Sequence, residues 1–298
     1  MKTYQGRTAV ITGAGSGFGL EVARLAAARG MNLVLCDVQA DALEKAAAEF
    51  DGHPVLARRV DVSKAAEMEA LAAAVQARFG APHFLFNNAG VGSGGLVWEN
   101  SLADWDWVLG VNLMGVVHGL RLFTPMMLEA AATDPTYEGH IVNTASMAGM
   151  LNAPNMGVYN VSKHAVVSLS ETLYQDLALV TEQIRCSVLC PFFVPTGISQ
   201  SHRNRPGELA SSRPTKSQLI GQAMSDKAVS SGKITAAEVA AMVLEALDEE
   251  RFYVFSHPRS LAGVQTRMED VMQLRNPTDP FKDKPELGQQ LKAALRQA

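Results

Sequence analysis

The stretch Thr8–Gly19 reads TAVITGAGSGFG and decides the fold of this chain. Its first five residues, Thr8–Thr12, are apolar or β-branched and have the length of one buried strand. A glycine-rich turn follows, and Phe18–Arg29 then shows the alanine- and leucine-rich pattern of a helix that Gly30 ends. A strand joined to a helix by such a turn is the opening unit of a parallel α/β sheet.

Short apolar runs alternate with helical patterns along the rest of the chain. Further strands are predicted at Asn32–Asp37, Val55–Val60, Phe84–Phe86, His140–Thr144, Arg185–Leu189 and Phe252–Phe255. Further helices are predicted at Asp41–Phe50, Ala65–Phe79 and at about 102–130, 157–180 and 236–248. Strands this apolar, separated by helices, predict an α/β fold. We expect a single doubly wound parallel sheet of about seven strands, of the Rossmann type, with helices on both faces.

The predicted catalytic domain covers residues 1–258, and two segments interrupt its rhythm. Residues 197–233 are rich in Ser, Gly, Arg and Pro and follow the sixth strand, so we expect a lid over a substrate. A surface insertion without function is the alternative. Residues 259–298 contain NPTDPFKDKP and predict a C-terminal helical extension that packs on the surface or on a partner subunit.

Composition narrows the classes of function. The 298 residues are 47% hydrophobic and 19% charged, which is typical of a soluble globular protein. The net charge of −4, without a basic patch, speaks against nucleic acid as a partner. No signal peptide and no membrane span are expected, and a cytoplasmic location follows. Cys36, Cys186 and Cys190 fall in strand-like runs, and we expect them to be buried, without a metal or redox role.

The glycine turn and the end of the second strand predict a dinucleotide cofactor. The helix after the turn presents unpaired N–H groups and a positive dipole end to a pyrophosphate. Asp37 lies about twenty residues further on, where a carboxylate accepts hydrogen bonds from ribose hydroxyls and repels a 2′-phosphate. Its neighbours in the predicted site, Ser16 and Val38, are uncharged. The pattern favours NAD over NADP, although Asp37 could instead cap the next helix.

Seven motifs stand in order along the chain. They are TGAGSGFG at 12–19, Asp37, DV at 61–62, NNAG at 87–90, Asn112 in GVNL, Ser146 in TASM and YNVSK at 159–163. Together they resemble the single-domain, NAD-dependent branch of the short-chain dehydrogenase/reductase family over about residues 5–255. The resemblance implies hydride transfer between a nicotinamide cofactor and an alcohol or ketone. It also implies a homodimer or homotetramer, paired through the long helices before and after the fifth strand.

The resemblance also implies roles for individual residues. The catalytic tetrad would be Asn112, Ser146, Tyr159 and Lys163. The cofactor would contact Gly13, Ser16, Gly17, Phe18, Gly19, Asp37, Asp61, Val62, Asn88, Ala89, Gly90, Tyr159, Lys163 and Thr196. In one departure, Pro191 is followed by Phe192 where the family usually has glycine. Because phenylalanine lacks the conformational freedom of glycine, the loop that carries Thr196 is expected to be arranged differently.

The four tetrad residues suit acid/base chemistry. Tyr159 and Lys163 are four apart on a predicted helix and therefore share a face. A cation about 4 Å from a phenol, at an effective dielectric near 20, stabilises the phenolate by about 4 kcal/mol, or roughly 3 pKa units. We therefore expect Lys163 and the cofactor to lower the pKa of Tyr159, while Ser146 holds the substrate oxygen. In the family, Asn112 supports a water that relays protons from Lys163.

Large, soft side chains close to these motifs predict a bulky apolar or aromatic alcohol or ketone as substrate. They are Trp98, Met147, Met150, Leu151, Met156, Phe192 and Phe193. Several could equally be core or subunit-contact residues. His202, Arg203 and Arg205 of the lid are expected to be solvated rather than bound to a substrate carboxylate. Two other functions stay open: an NADPH-dependent carbonyl reductase of the same fold, and a non-catalytic dinucleotide-binding sensor or scaffold.

Overall fold

The computed structural model describes residues 1–210 and 213–296. Within this part of the chain seven strands form one sheet: β1 (Thr8–Thr12), β2 (Asn32–Asp37), β3 (Val55–Arg59), β4 (Phe84–Asn87), β5 (Gly139–Thr144), β6 (Ile184–Cys190) and β7 (Tyr253–Phe255). All neighbours pair in parallel, in the order β3-β2-β1-β4-β5-β6-β7. The chain reverses its direction of travel across the sheet between β1 and β4, where such sheets open a ligand crevice. The predicted fold is confirmed.

Helices cover both faces of this sheet. They are α1 (Gly17–Ala28), α2 (Ala40–Ala48), α3 (Ala65–Phe79), α4 (Leu102–Leu109), α5 (Gly115–Thr133), α6 (Gly157–Val180), α7 (Lys216–Ser230), α8 (Ala236–Glu249), α9 (Leu261–Met272) and α10 (Pro285–Arg296). Ile11 of β1 belongs to a buried cluster with Val22 of α1 and Val239 of α8. Its neighbour Val10 points the other way, into a cluster with Phe123 of α5. Both faces are apolar because successive strand residues alternate between them.

The helix predicted at about 102–130 is not a continuous α-helix in the structure. α4 runs into one turn of π-helix, Gly110–Met114, before α5 continues to Thr133. The whole run Leu102–Thr133 is long and apolar enough to cross a membrane, but half of its most apolar window is buried in the protein. Phe123 and Met127 are fully buried there, so the apolar character of the run is accounted for by the core.

The predicted lid contains a helix that the sequence analysis missed. After two short 3₁₀ turns, α7 begins behind Thr215, which forms a capping box with Gln218. The pattern T-x-x-Q is a recognised helix-start signal and was available in the sequence. Residues 211 and 212 of the predicted lid lie outside the described residues.

The C-terminal extension packs on the surface of the domain, which is one of the two predicted arrangements. Gly263 of α9 lies against Leu151, and α10 packs on α7. The extension therefore builds one wall of the cleft described below. Residues 297 and 298 of the predicted extension lie outside the described residues. Cys36, Cys186 and Cys190 are buried and free, as expected.

Candidate active site

A cavity of about 1000 Å³ opens at the carboxyl ends of the central strands. Nearly all of the predicted cofactor residues line it: Gly13, Ser16, Gly17, Phe18, Asp37, Asp61, Val62, Asn88, Ala89, Gly90, Tyr159, Lys163 and Thr196. Ser146 lines it too, whereas Gly19 and Asn112 lie behind its wall. One cleft thus brings together residues from six separate motifs.

The turn at one end of the cleft has a backbone geometry that requires glycine. Gly13 and Gly17 have φ of 65° and 55°, in the left-handed region that favours glycine. A Cβ on Gly19 would lie 2.1 Å from the carbonyl oxygen of Gly13, so Gly19 supports the turn from beneath. The N-cap of α1, Ser16, makes no side-chain capping bond, so the helix leaves its first N–H groups available to an anion.

Asp37 stands at the same end of the cleft and is nearly buried. Its Oδ2 accepts a hydrogen bond of 2.9 Å from Gly15 N, and its Oδ1 accepts one of 2.9 Å from Gln39 N. The N-cap of α2 is Gln39, so Asp37 does not cap that helix. A carboxylate has about four acceptor sites, and two remain for ribose hydroxyls.

The lid places the cation of Arg203, which is exposed as expected, at this end of the cleft. Arg203 lines the cavity and donates from Nε to Gln39 Oε1 at 3.1 Å. It also donates to Gln200 on its own turn, while His202 beside it is exposed as expected. The lid therefore reaches across the cleft to the end of β2.

Ser146, Tyr159 and Lys163 come together at the other end of the cleft. Tyr159 lies close enough to Ser146 for the serine hydroxyl to act on its pKa, and Lys163 Nζ lies 5.7 Å from the centre of the Tyr159 ring. Lys163 Nζ also donates to Thr144 O at 2.9 Å. A Cβ on Gly149 would lie 2.6 Å from Lys163 O, so only glycine lets the segment after β5 approach α6 this closely.

The electrostatics of this group differ from the expectation. Burial raises the pKa of Tyr159, and the hydrogen bond with Ser146 opposes that rise without cancelling it. Burial lowers the pKa of Lys163 to about 8. Desolvation disfavours the charged form of each group and is the largest cause of both shifts. The chain's own residues therefore favour a neutral phenol, and its deprotonation needs a further positive charge in the cleft.

Asn112 lies in the π-helical turn, fully buried. Its Oδ1 accepts from Val91 N at 2.8 Å, and its Nδ2 donates to Val91 O and to Ser162 Oγ at 3.0 and 3.1 Å. Ser162 Oγ in turn donates to Tyr159 O at 2.8 Å. The side chain of Asn112 thus holds the loop after β4 against α6 and positions the helix that carries Tyr159.

Five of the seven predicted wall residues line the cavity: Met147, Leu151, Met156, Phe192 and Phe193. The prediction was wrong for Met150, which packs against a core cluster, and for Trp98, whose side chain is 79% exposed. A Cβ on Gly157 would touch Val97, and Glu99 accepts a hydrogen bond from Ser217, so the short turn between these contacts directs Trp98 outward.

The structure shows the backbone conformation of Phe192 and the binding partners of Arg205. Phe192 is not in the left-handed region, so the loop after β6 does not require the missing glycine. Its N–H donates to Ser256 Oγ at 3.0 Å. Arg205 was expected to be solvated, which is wrong: its Nη1 lies 2.5 Å from Asp104 Oδ1 and its guanidinium packs over Trp107.

Sequence reasoning missed the contribution of the extension. Thr266, Arg267, Asp270 and Phe281 all line the cavity. The chain carries no motif at these positions. Their place in the site follows only from the packing of α9 beside Leu151.

The chain is similar to several known proteins. A family model described as short chain dehydrogenase matches residues 7–207. The CLA biosynthesis dehydrogenase/reductase of Lactiplantibacillus plantarum is 32% identical over 91% of this chain and 95% of that protein. The C alpha-dehydrogenase of a Sphingobium species is 30% identical over 99% of this chain and 94% of that protein.

A solved structure is more similar still. A short chain dehydrogenase/reductase from Burkholderia phymatum, in complex with NAD, is 51% identical. It superposes with a TM-score of 0.90 over 94% of this chain and 99% of that one.

Proposed function

The chain belongs to the short chain dehydrogenase family and is an oxidoreductase of CH–OH groups, and we propose that it transfers hydride between NAD and a bulky apolar or aromatic secondary alcohol or ketone. One observation carries the proposal. Ser146, Tyr159 and Lys163 line the same cleft as the glycine turn and Asp37. A proton-transfer group and a dinucleotide cradle thus face one enclosed volume.

The residues divide the chemistry between them. Bound NAD supplies the hydride acceptor or donor. Ser146 holds the substrate oxygen beside Tyr159, which takes the proton of the alcohol or returns it to the ketone. Because burial raises the pKa of Tyr159, it exchanges this proton readily only while positive charge from Lys163 and the oxidised nicotinamide is close.

The cofactor end of the cleft supports NAD as the partner. The side-chain-free turn at Gly13 and Gly17 suits a pyrophosphate, and the buried carboxylate of Asp37 suits ribose hydroxyls. One observation favours the alternative of an NADPH-dependent reductase: Arg203 lies beside Gln39, two residues from Asp37, where it could meet a 2′-phosphate.

The test measures NADH formation at 340 nm with a panel of secondary alcohols. Tyr159→Phe should lower kcat by at least about a hundredfold, because the general acid/base is lost, and should still bind NADH by fluorescence. Tyr174→Phe, on an exposed position of the same helix, is the matched control and should behave as wild type. Unchanged turnover in Tyr159→Phe would contradict the proposal.

The same assay distinguishes NAD from NADP as the cofactor and tests the alternative of a non-catalytic sensor or scaffold. Wild type should use NAD with higher kcat/KM than NADP, and Asp37→Ser should narrow that difference. Preference of wild type for NADP would show that Arg203 outweighs Asp37. NADH binding without turnover on any panel member would favour the non-catalytic sensor or scaffold. Oligomeric state and cytoplasmic location stay predictions.

A further inference from the structure

The wall contributed by α9 has one face toward the cavity. Gly263, Thr266, Arg267 and Asp270 stand at positions i, i+3, i+4 and i+7 of the helix, which share one face, and all line it. A Cβ on Gly263 would lie 3.4 Å from Leu151 Cδ2, so this face begins beside a residue of the substrate wall. Arg267 stands one helical turn further on, about 6 Å along the axis.

On this wall Asp270 and Arg275 have counterions, whereas Arg267 does not pair with any described residue. Asp270 is buried, and its Oδ1 lies 3.0 Å from Arg275 Nη2 while its Oδ2 accepts from Thr278 N at 2.8 Å. Asp270 and Arg275 therefore neutralise each other. Arg267 is half-buried and forms no ion pair or hydrogen bond with any residue of 1–210 or 213–296. A cation partly withdrawn from water without a counterion is unfavourable unless a ligand supplies one.

The other charged groups of the extension that line the cavity are Asp279, Lys282 and Asp283. All three are exposed, so water and salt screen them. The cavity lining also includes the apolar side chains of Leu151, Val271 and Phe281. An unpaired guanidinium in a wall that also carries apolar side chains suits a ligand that is apolar along its length and anionic at its end.

We propose that the substrate carries a carboxylate at the end remote from its reacting carbon, and that Arg267 binds it. The planar guanidinium matches a carboxylate with two parallel hydrogen bonds, which fixes the orientation of the substrate as well as its affinity. This inference rests on the proposed function, since it assigns a substrate class to the same cleft. It makes the extension part of the specificity of the enzyme.

The experiment compares secondary alcohols that bear a remote carboxylate with their methyl esters, over several chain lengths. Wild type should prefer the acid by about tenfold or more in kcat/KM, as hydrogen bonds between charged groups provide. Arg267→Gln should remove that preference by raising the KM for the acid toward that for the ester. Arg267→Lys should keep part of it. Arg259→Gln, an exposed arginine just before α9 that does not line the cavity, is the matched control.

A binding measurement separates the two proposals. Phenylalkanoates and their methyl esters are titrated into the NADH-loaded protein by calorimetry. Tighter binding of the acids, lost in Arg267→Gln and retained in Arg259→Gln, supports the inference whatever the turnover. Equal binding of acid and ester overturns it. Turnover of the esters without preference for the acids also overturns it and leaves the proposed function standing, whereas acid-selective binding without turnover contradicts the proposed function alone.

Discussion

At the residue scale, the active site keeps two ionisable groups where neither readily carries charge. Tyr159 and Lys163 are enclosed by the protein, and burial shifts the pKa of each toward its neutral form. Lys163 gains one hydrogen bond, to Thr144 O, in return for its lost hydration. Such a site costs stability in the folded protein, as expected where function requires a strained or desolvated arrangement.

This cost predicts that Lys163→Met stabilises the cofactor-free protein although it impairs catalysis. The pKa of Lys163 falls from 10.5 to about 8, and each unit corresponds to about 1.4 kcal/mol. After the lost bond to Thr144 is subtracted, the gain near neutral pH should be about 2 kcal/mol. The native state holds the proton less tightly than the unfolded state, so the penalty is full below about pH 8 and disappears as pH rises through 10.5.

Urea unfolding near neutral pH and near pH 10 measures the difference. The advantage of Lys163→Met should shrink at the higher pH. Lys227→Met, at an exposed position on α7, is the control and should change little at either pH. A loss of stability in Lys163→Met near neutral pH would contradict the argument.

At the element scale, the carboxylate of Asp104 helps to fasten both halves of the lid to the domain. Asp104 on α4 pairs with Arg205 at the start of the lid and accepts from Gln218 Nε2 of α7 at 3.1 Å. Burial alone would raise the pKa of Asp104, but hydrogen bonds from Arg205 and Ser101 outweigh it and hold the pKa below its usual value. Both halves of the lid therefore depend on the same charged group.

We therefore predict that Asp104→Asn loosens the lid. Arg205 would lose its counterion in a largely buried place, which should cost about 2 kcal/mol, less than for a fully buried pair because Arg205 keeps some contact with water. The KM for substrate should rise several-fold, and limited proteolysis should cut the lid faster. Asp106→Asn, exposed on the same helix, is the control. Equal behaviour of the two variants would exclude the fastening role.

At the scale of the whole molecule, α5 and α6 present a shallow apolar groove. Leu128 and Leu173 are among its lining residues, and Leu179 and Val180 are well exposed near the end of α6. The predicted homodimer or homotetramer would cover this face. Light scattering should therefore give at least twice the chain mass of 31.9 kDa. Leu173→Arg should lower that mass, because an unpaired charge would be buried in the contact.

Leu102→Arg, a change at an exposed leucine outside the groove, is the control for this prediction. A wild-type protein of single-chain mass would contradict the prediction. A wild-type oligomer that Leu173→Arg leaves intact would place the contact on another face.

Local chemistry was enough to predict the sheet and the glycine turn at its edge, whereas the catalytic roles came from the resemblance to a known family. The alternation of apolar strands and helices specified the order of elements, because each strand needs two covered faces and each crossover has one hand. The positions of Gly13, Asp37 and Tyr159 followed as well. Carboxyl ends of parallel strands meet at one edge, so residues that follow those strands share a cleft.

Contacts between distant segments decided the rest. No local pattern shows that Arg205 meets Asp104, that Trp98 faces solvent or that Arg267 lines the cavity. The direction of the pKa shift of Tyr159 also depended on the folded chain, because all the residues that surround the phenol together determine its desolvation. Periodicity and turn chemistry act between near neighbours, whereas burial and charge pairing are set by segments that meet only after folding.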